Sequence, residues 1–220
     1  MAPGAYLLSV NSRGRTFEVT VEEGSNVAVA AATFLAVIVA LFGDWIRARL
    51  FRPNLSVSLA NPEGELSSIG SGEHQVRAWF YYIRVSSPRP WPKPTEAQVF
   101  VVRVQKRNPN GVYHHVWAGE IPLRWKHQEV HPLSRTIARD TDADFLFVTE
   151  DCQLRLWPLI GPNNLTPEYT EITDLVVTVQ AHAKECSSQQ VPIAIHWDGR
   201  WDSGKREMTT HLTVEVSHST

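Results

Sequence analysis

Residues 26–53 read NVAVAAATFLAVIVALFGDWIRARLFRP. Between Val27 and Phe42 the run carries no charge and a single hydroxyl, on Thr33. Continued through Gly43, Asp44, Trp45 and Ile46, it approaches the roughly 20 residues a helix needs to cross about 30 Å of hydrocarbon. Alanine, valine, leucine and isoleucine fall on every side, so the polar stripe of a surface helix is missing. Trp45 follows, and then Arg47, Arg49 and Arg52, an aromatic and a set of cations of the kind that settle at a membrane–water interface. Asp44 stands near the end of the run, where a charge costs less than at the centre.

A central helix of a soluble fold can also be apolar all round. A cleaved signal peptide needs a basic segment near its start and a small-x-small site after the apolar part. Here Glu18, Glu22 and Glu23 precede the run and no such site follows Phe42. The stretch therefore reads as one uncleaved transmembrane helix over 26–50, with 1–25 as a tail holding a short alternating strand, Arg15 to Val21. Arg13 and Arg15 lie further back than the three arginines after the run. That asymmetry favours a cytoplasmic C-terminal side, and localisation as a single-pass membrane protein.

The remaining composition fits a folded body. Of 220 residues, 43% are hydrophobic and 20% charged, with a formal net charge of −2, so no basic field points to nucleic acid as a partner. Eight tryptophans and 14 prolines suit a β-rich domain with many turns. The two cysteines, Cys152 and Cys186, form no CxxC pair and found no zinc site. A single bridge and two free thiols are both open to them.

After Pro53 the hydrophobic period changes to two. Leu55, Val57 and Leu59 alternate with small residues. The long run Val76 to Val85 puts Trp79, Tyr81, Ile83 and Val85 on one face. Further strands are marked by Phe100, Val102 and Val104, by Phe145–Val148 and by Leu154–Leu156. Others follow with Leu175, Val177, Val179 and Ala181, with Val191, Ile193, Ile195 and Trp197, and with Leu212, Val214 and Val216. Turn signals separate them at Asn61-Pro62, Pro88–Pro94, Asn108–Gly111, Gly161–Asn164 and Asp198-Gly199. Eight or nine antiparallel strands in about 165 residues imply two packed sheets over 54–220, with a closed barrel as the alternative.

The run Trp79–Val85, the proline/tryptophan loop after it, Ala97–Val101, Gly119–Trp125 and His196–Trp201 together resemble a group of uncharacterised prokaryotic single-pass membrane proteins. Those proteins carry an immunoglobulin-like module after one helix. The resemblance covers 54–220 and implies a mainly β protein, an immunoglobulin-like antiparallel β-sandwich of eight to nine strands behind one N-terminal transmembrane helix. It implies no functional residue.

Chemistry-bearing residues are sparse. Asp140, Asp142 and Asp144 have the spacing that opens a calcium loop, but Phe145 and Asp151 stand where glycine and glutamate belong. An acidic turn before a strand accounts for them. His127, Glu129 and His131 share one face of an extended segment, yet Pro132 denies the helix of a zincin. His114 and His115 are adjacent in a strand and face opposite ways. The segment His196, Trp197, Asp198, Gly199, Arg200, Trp201, Asp202 is the candidate ligand site, since indole faces with charged neighbours can cradle a sugar or a cation. The ordinary alternative is a capped hairpin with Trp197 in the core. There is no GxSxG elbow or glycine-rich phosphate loop, so neither an enzyme nor a cofactor is expected.

The expected function is a membrane-tethered, non-catalytic binding module that meets the lipid bilayer through its helix. A protein partner or a second copy is the further expected contact, and Ala28, Ala31, Ala32 and Ala36 include small-xxx-small spacings that permit close helix pairing. The alternative is a sensor whose β-domain binds a small molecule while its helix oligomerises.

Overall fold

The computed structural model describes residues 7–12, 15–50, 53–70, 72–89, 91–127 and 133–217. Side chains are described over 26–43 and, Glu73 apart, from Pro53 onward within those ranges. The chain divides into two units, Met1–Arg52 and Pro53–Thr220.

In the first unit, β1 (Leu7–Ser12) pairs antiparallel with β2 (Arg15–Thr20). The alternating piece after Arg15 thus has the partner that an isolated strand needs. Helix α1 (Val21–Leu50) follows directly and has 30 residues, about 45 Å at 1.5 Å per residue. Its window Asn26–Gly43 has a mean hydropathy of 2.3, and none of it is buried. Phe34 is 67% exposed and Leu41 72%. The one hydroxyl in the run is satisfied inside the helix, where Thr33 Oγ1 donates to the Val29 carbonyl at 2.8 Å. That is how a hydroxyl is accommodated where water is absent. By length and composition, this helix can cross a membrane.

The second unit is mainly β. Its strands are β3 (Ser56–Leu59), β4 (Glu65–Ile69), β5 (Val76–Ser86), β6 (Gln98–Arg107), β7 (Tyr113–Pro122) and β8 (Thr141–Thr149). After these come β9 (Leu154–Leu156), β10 (Glu168–Tyr169), β11 (Thr173–His182), β12 (Val191–Trp197), the short helix α2 (Lys205–His211) and β13 (Leu212–Val216). One six-stranded sheet runs β10-β9-β8-β5-β3, with β4 also beside β5, and a five-stranded sheet runs β13-β12-β11-β6-β7. Every pairing is antiparallel. Eleven strands among the described residues exceed the eight or nine expected. The additions are legible only in hindsight: β4 and β10 are short and largely polar, and β7 is open on nearly all of its length.

Both sheets contribute to one hydrophobic core. Trp79, Tyr81, Ile83 and Val85 of β5 lie in it with Leu175, Val177, Val179 and Ala181 of β11 and Ile193, Ile195 and Trp197 of β12. The period-two reading therefore places these faces correctly. On β6 it does not, because the register with β7 shifts between Val101 and Arg103. That bulge re-aims the strand. Val99, Val101 and Val104 enter the core, while Phe100 turns away and meets the His182 ring edge-on at 5.4 Å.

Two irregularities position the site. Beyond β7 the chain leaves the five-stranded sheet: Leu123 N–H donates to the Val99 carbonyl at 2.8 Å, and at the next residue it has joined β8. There Asp144 N–H donates to the Arg124 carbonyl (2.7 Å) and Lys126 N–H to the Asp142 carbonyl (2.8 Å). Arg124 and Lys126 are thereby carried onto the six-stranded sheet. The proline-rich connection after β5 makes another crossing, from β5 to β6, and the chain crosses again between β10 and β11.

The second irregularity lies between β3 and β4, which occupy the same edge of β5 in series. The Asn61–Gly64 turn separates them, with Gly64 N–H donating to the Asn61 carbonyl at 3.2 Å and Asn61 Nδ2 to the Gly64 carbonyl at 2.7 Å. Gly64 has φ +73°, and a Cβ there would stand 2.9 Å from the buried Tyr81 ring. Gly64→Ala is expected to destabilise the β unit by about 1–3 kcal/mol. A lowered urea midpoint for the full chain in detergent checks this; an unchanged midpoint means the turn yields freely.

Candidate functional site

The segment singled out in the sequence does not form one cavity. His196 and Trp197 are consecutive on β12 and so face opposite ways. His196 is exposed on the outer face of the five-stranded sheet, with Nδ1 2.6 Å from Asp174 Oδ1. Trp197 is wholly buried. Asp198-Gly199 makes a turn, with Gly199 at φ +84°, but not a tight hairpin, because α2 intervenes before β13.

The residues after Trp197 cap one end of the core. Asp198 Oδ1 accepts the Arg200 N–H at 2.9 Å, and its Oδ2 lies 2.8 Å from His211 Nδ1. Asp202 Oδ1 accepts the Gly204 N–H (2.7 Å), while its carbonyl accepts the Trp79 indole N–H (2.8 Å). The Arg77 guanidinium lies 5.0 Å from the centre of the Trp201 ring. Both aspartates of this cap are thus engaged locally, while the Trp201 indole N–H is buried without a hydrogen-bond partner.

Burial by itself pushes the Asp198 carboxyl up, but His211 and the Arg200 N–H prevail and hold it below the ordinary carboxylate range. A depressed carboxylate contributes stability above its unfolded value and loses it as pH falls through the folded one. The urea midpoint of the full chain is therefore expected to fall between pH 5 and pH 2 by a larger margin than in Asp198→Asn. Parallel curves for the two proteins would remove Asp198 as a source of acid lability.

The other sequence candidates are also engaged or open. Asp142 receives Arg84 through two hydrogen bonds of 2.9 and 3.2 Å, and Asp144 receives Arg124 Nε at 3.1 Å. His114 and His115 are exposed on β7. Glu129 and His131 lie outside the described residues, so only His127 of that trio is placed. Cys152 and Cys186 are free thiols.

The outer face of the six-stranded sheet holds what the sequence reading passed over. Phe80 and Tyr82 of β5 and Phe147 of β8 are almost fully buried there, in a cluster separate from the main core. Trp157, just past β9, completes it: ring centres lie 5.7 Å apart for Phe80–Phe147, 5.5 Å for Phe80–Trp157 and 5.0 Å for Phe147–Trp157. The sheet-switching segment then lays cations over the rings. The Arg124 guanidinium sits 4.6 Å from the Trp157 ring centre, and Lys126 Nζ 3.8 Å from that of Tyr82. Such contacts contribute about 0.5–2 kcal/mol each, more when desolvated. Lys126 also meets Glu65 at 2.6 Å.

A cleft of about 270 Å³ opens among these groups, with Ser67, His127 and Asp144 completing its lining. Burial pushes the Asp144 carboxyl above the ordinary carboxylate range, against the opposing hydrogen bond and charge of Arg124. Burial, followed by the carboxylates of Glu65, Asp144 and Asp142, likewise raises the Tyr82 phenol.

A signal for this face was present in the sequence. Ala78 to Ile83 is apolar or aromatic in both registers, whereas a strand with one solvated face alternates. That pattern could have marked Phe80 and Tyr82 as covered, which the sequence reading did not do. No family model, curated protein or solved structure matches the chain.

Proposed function

We propose that the chain is a single-pass membrane protein whose α1 anchors it in the bilayer. Its β unit, read as an immunoglobulin-like sandwich, acts as a non-catalytic binding module at the membrane surface. The observation that carries this reading is the bareness of the helix. No described side chain from Asn26 to Gly43 is buried, while Pro53–Thr220 holds a complete core of its own. An unpartnered apolar cylinder of this length is stable in hydrocarbon and costly in water. Arg47, Arg49 and Arg52 directly after the apolar run favour the β unit on the cytoplasmic side, and two free thiols suit a reducing compartment.

Fractionation tests the anchor: full-length protein is expected to stay in the membrane pellet through alkaline carbonate and to leave it only with detergent. Recovery in the carbonate supernatant would overturn the reading. Crosslinking of the detergent-solubilised protein is expected to return a stoichiometric protein partner or a homo-oligomer. The cleft beside Trp157 favours one refinement, in which the tethered module responds to a small ligand.

A further inference from the structure

We propose that the cleft on the outer face of the six-stranded sheet binds a small organic monoanion, a carboxylate carried on a single planar ring. In this arrangement Arg124, Lys126 and His127 hold the carboxylate, and the ring lies in the space bordered by the exposed rims of Phe80 and Trp157, whose faces are already covered. The inference deepens the binding-module reading and rests on it, but does not depend on membrane anchorage.

Three observations lead there. The first is an excess of donors over acceptors. Arg124 engages Asp144 through Nε, and among the described residues its two terminal nitrogens have no protein partner. Lys126 gives one N–H to Glu65, leaving others for the cleft. His127 lies at the lip, and the left-handed backbone there (φ +58°) holds it where the chain leaves β8. A carboxylate is the group that a guanidinium fork and an ammonium satisfy together.

The second is that the ring faces are already taken. With Arg124 over Trp157 and Lys126 over Tyr82, a cationic ligand would first have to displace the protein's own cations. A sugar finds no open aromatic platform. The same contacts hold both cations in place before a ligand arrives, which lowers the cost of ordering them on binding.

The third is charge and size. Asp144 lies 3.1 Å from Arg124 at the base of the cleft, so a doubly charged phosphate meets repulsion that a single carboxylate meets only in part. A volume of about 270 Å³ sits just under the roughly 300–1,000 Å³ of drug-sized sites. It admits one ring with its substituent.

The test is a fluorine NMR titration of the full chain in detergent micelles with 4-fluorobenzoate, 4-fluorobenzamide and 4-fluorobenzylammonium. Saturable binding of the benzoate is expected, with the neutral amide and the ammonium each at least about tenfold weaker, or about 1.4 kcal/mol. Lys126→Gln is expected to weaken the benzoate about tenfold while lowering the urea midpoint only modestly, through loss of the Tyr82 contact and of the half-exposed Glu65 partner. The same micelles are present in both titrations, so partition of the probe into detergent cancels. Arg124→Gln should do the same; if it fails to fold, Lys126→Gln decides. Equal binding of benzoate and amide, preference for the ammonium, or no saturation would each overturn the proposal. Carbonate extraction is read separately, so a soluble protein that binds benzoate defeats the anchor alone, and a membrane protein that ignores it defeats the site alone.

Discussion

Trp197→Ala is expected to destabilise the β unit by about 3–5 kcal/mol, the range for truncating a large aromatic in a well-packed core. Trp197 is 0% exposed and ends β12, where its backbone pairs with Thr173 of β11 and Leu212 of β13. Removing the indole would leave a void at the junction of three strands and beneath the cap formed by 198–204. Against typical domain stabilities of about 5–15 kcal/mol, such a loss moves the urea midpoint of the full chain far toward zero. Trp197→Phe should cost much less, for two reasons. It keeps most of the ring volume, and it deletes an indole N–H that is buried without a hydrogen-bond partner. If phenylalanine and alanine cost the same, the damage does not come from the void, and the packing explanation fails.

Leu35→Arg is the second large effect, and it bears on the bilayer instead of the core. Leu35 is near the middle of the Asn26–Gly43 window and 62% exposed. At the centre of a spanning helix, arginine costs about 2.5–3.5 kcal/mol, whereas leucine contributes a few tenths favourably. The difference of about 3 kcal/mol corresponds to more than a hundredfold in partition. The ratio of carbonate-resistant to released protein is expected to drop accordingly, while Leu35→Ala keeps most of the wild-type value. Unchanged retention of Leu35→Arg would mean that something other than hydrocarbon holds the helix.

How far the sequence was readable depended on where one physical signal acted alone. The apolar run 26–43 carries a single message, and the structure returns a helix there, begun earlier at Val21. Leu175, Val177, Val179 and Ala181 are equally plain, since one face of β11 is buried throughout. Legibility ended where two signals competed. On β6 the alternation is broken by a bulge that no residue announces, so Phe100 and Val104 part company. On β5 both registers are apolar or aromatic from Ala78 to Ile83, and choosing one face left Phe80 and Tyr82 without a role. The cleft also needed Arg124 and Lys126, whose place beside β8 follows from a strand changing sheets. That is a matter of long-range hydrogen bonding, outside any local pattern. At 196–202 the cluster of tryptophans and aspartates marked an unusual place correctly as a turn, but neighbouring positions on a strand are driven apart, one into the core and one into solvent.

The passage of the chain out of β7 through 122–126, bonded first to β6 and then to β8, has a mechanical outcome. Along that margin the two layers are laced together by main-chain bonds, whereas no such bond is described between β13 and β3 at the opposite margin. The laced margin should be the last to breathe. In deuterium exchange, the amides of Leu123, Asp144 and Lys126 should outlast those of β3 and β13, giving the body a seam that parts and a spine that stays shut.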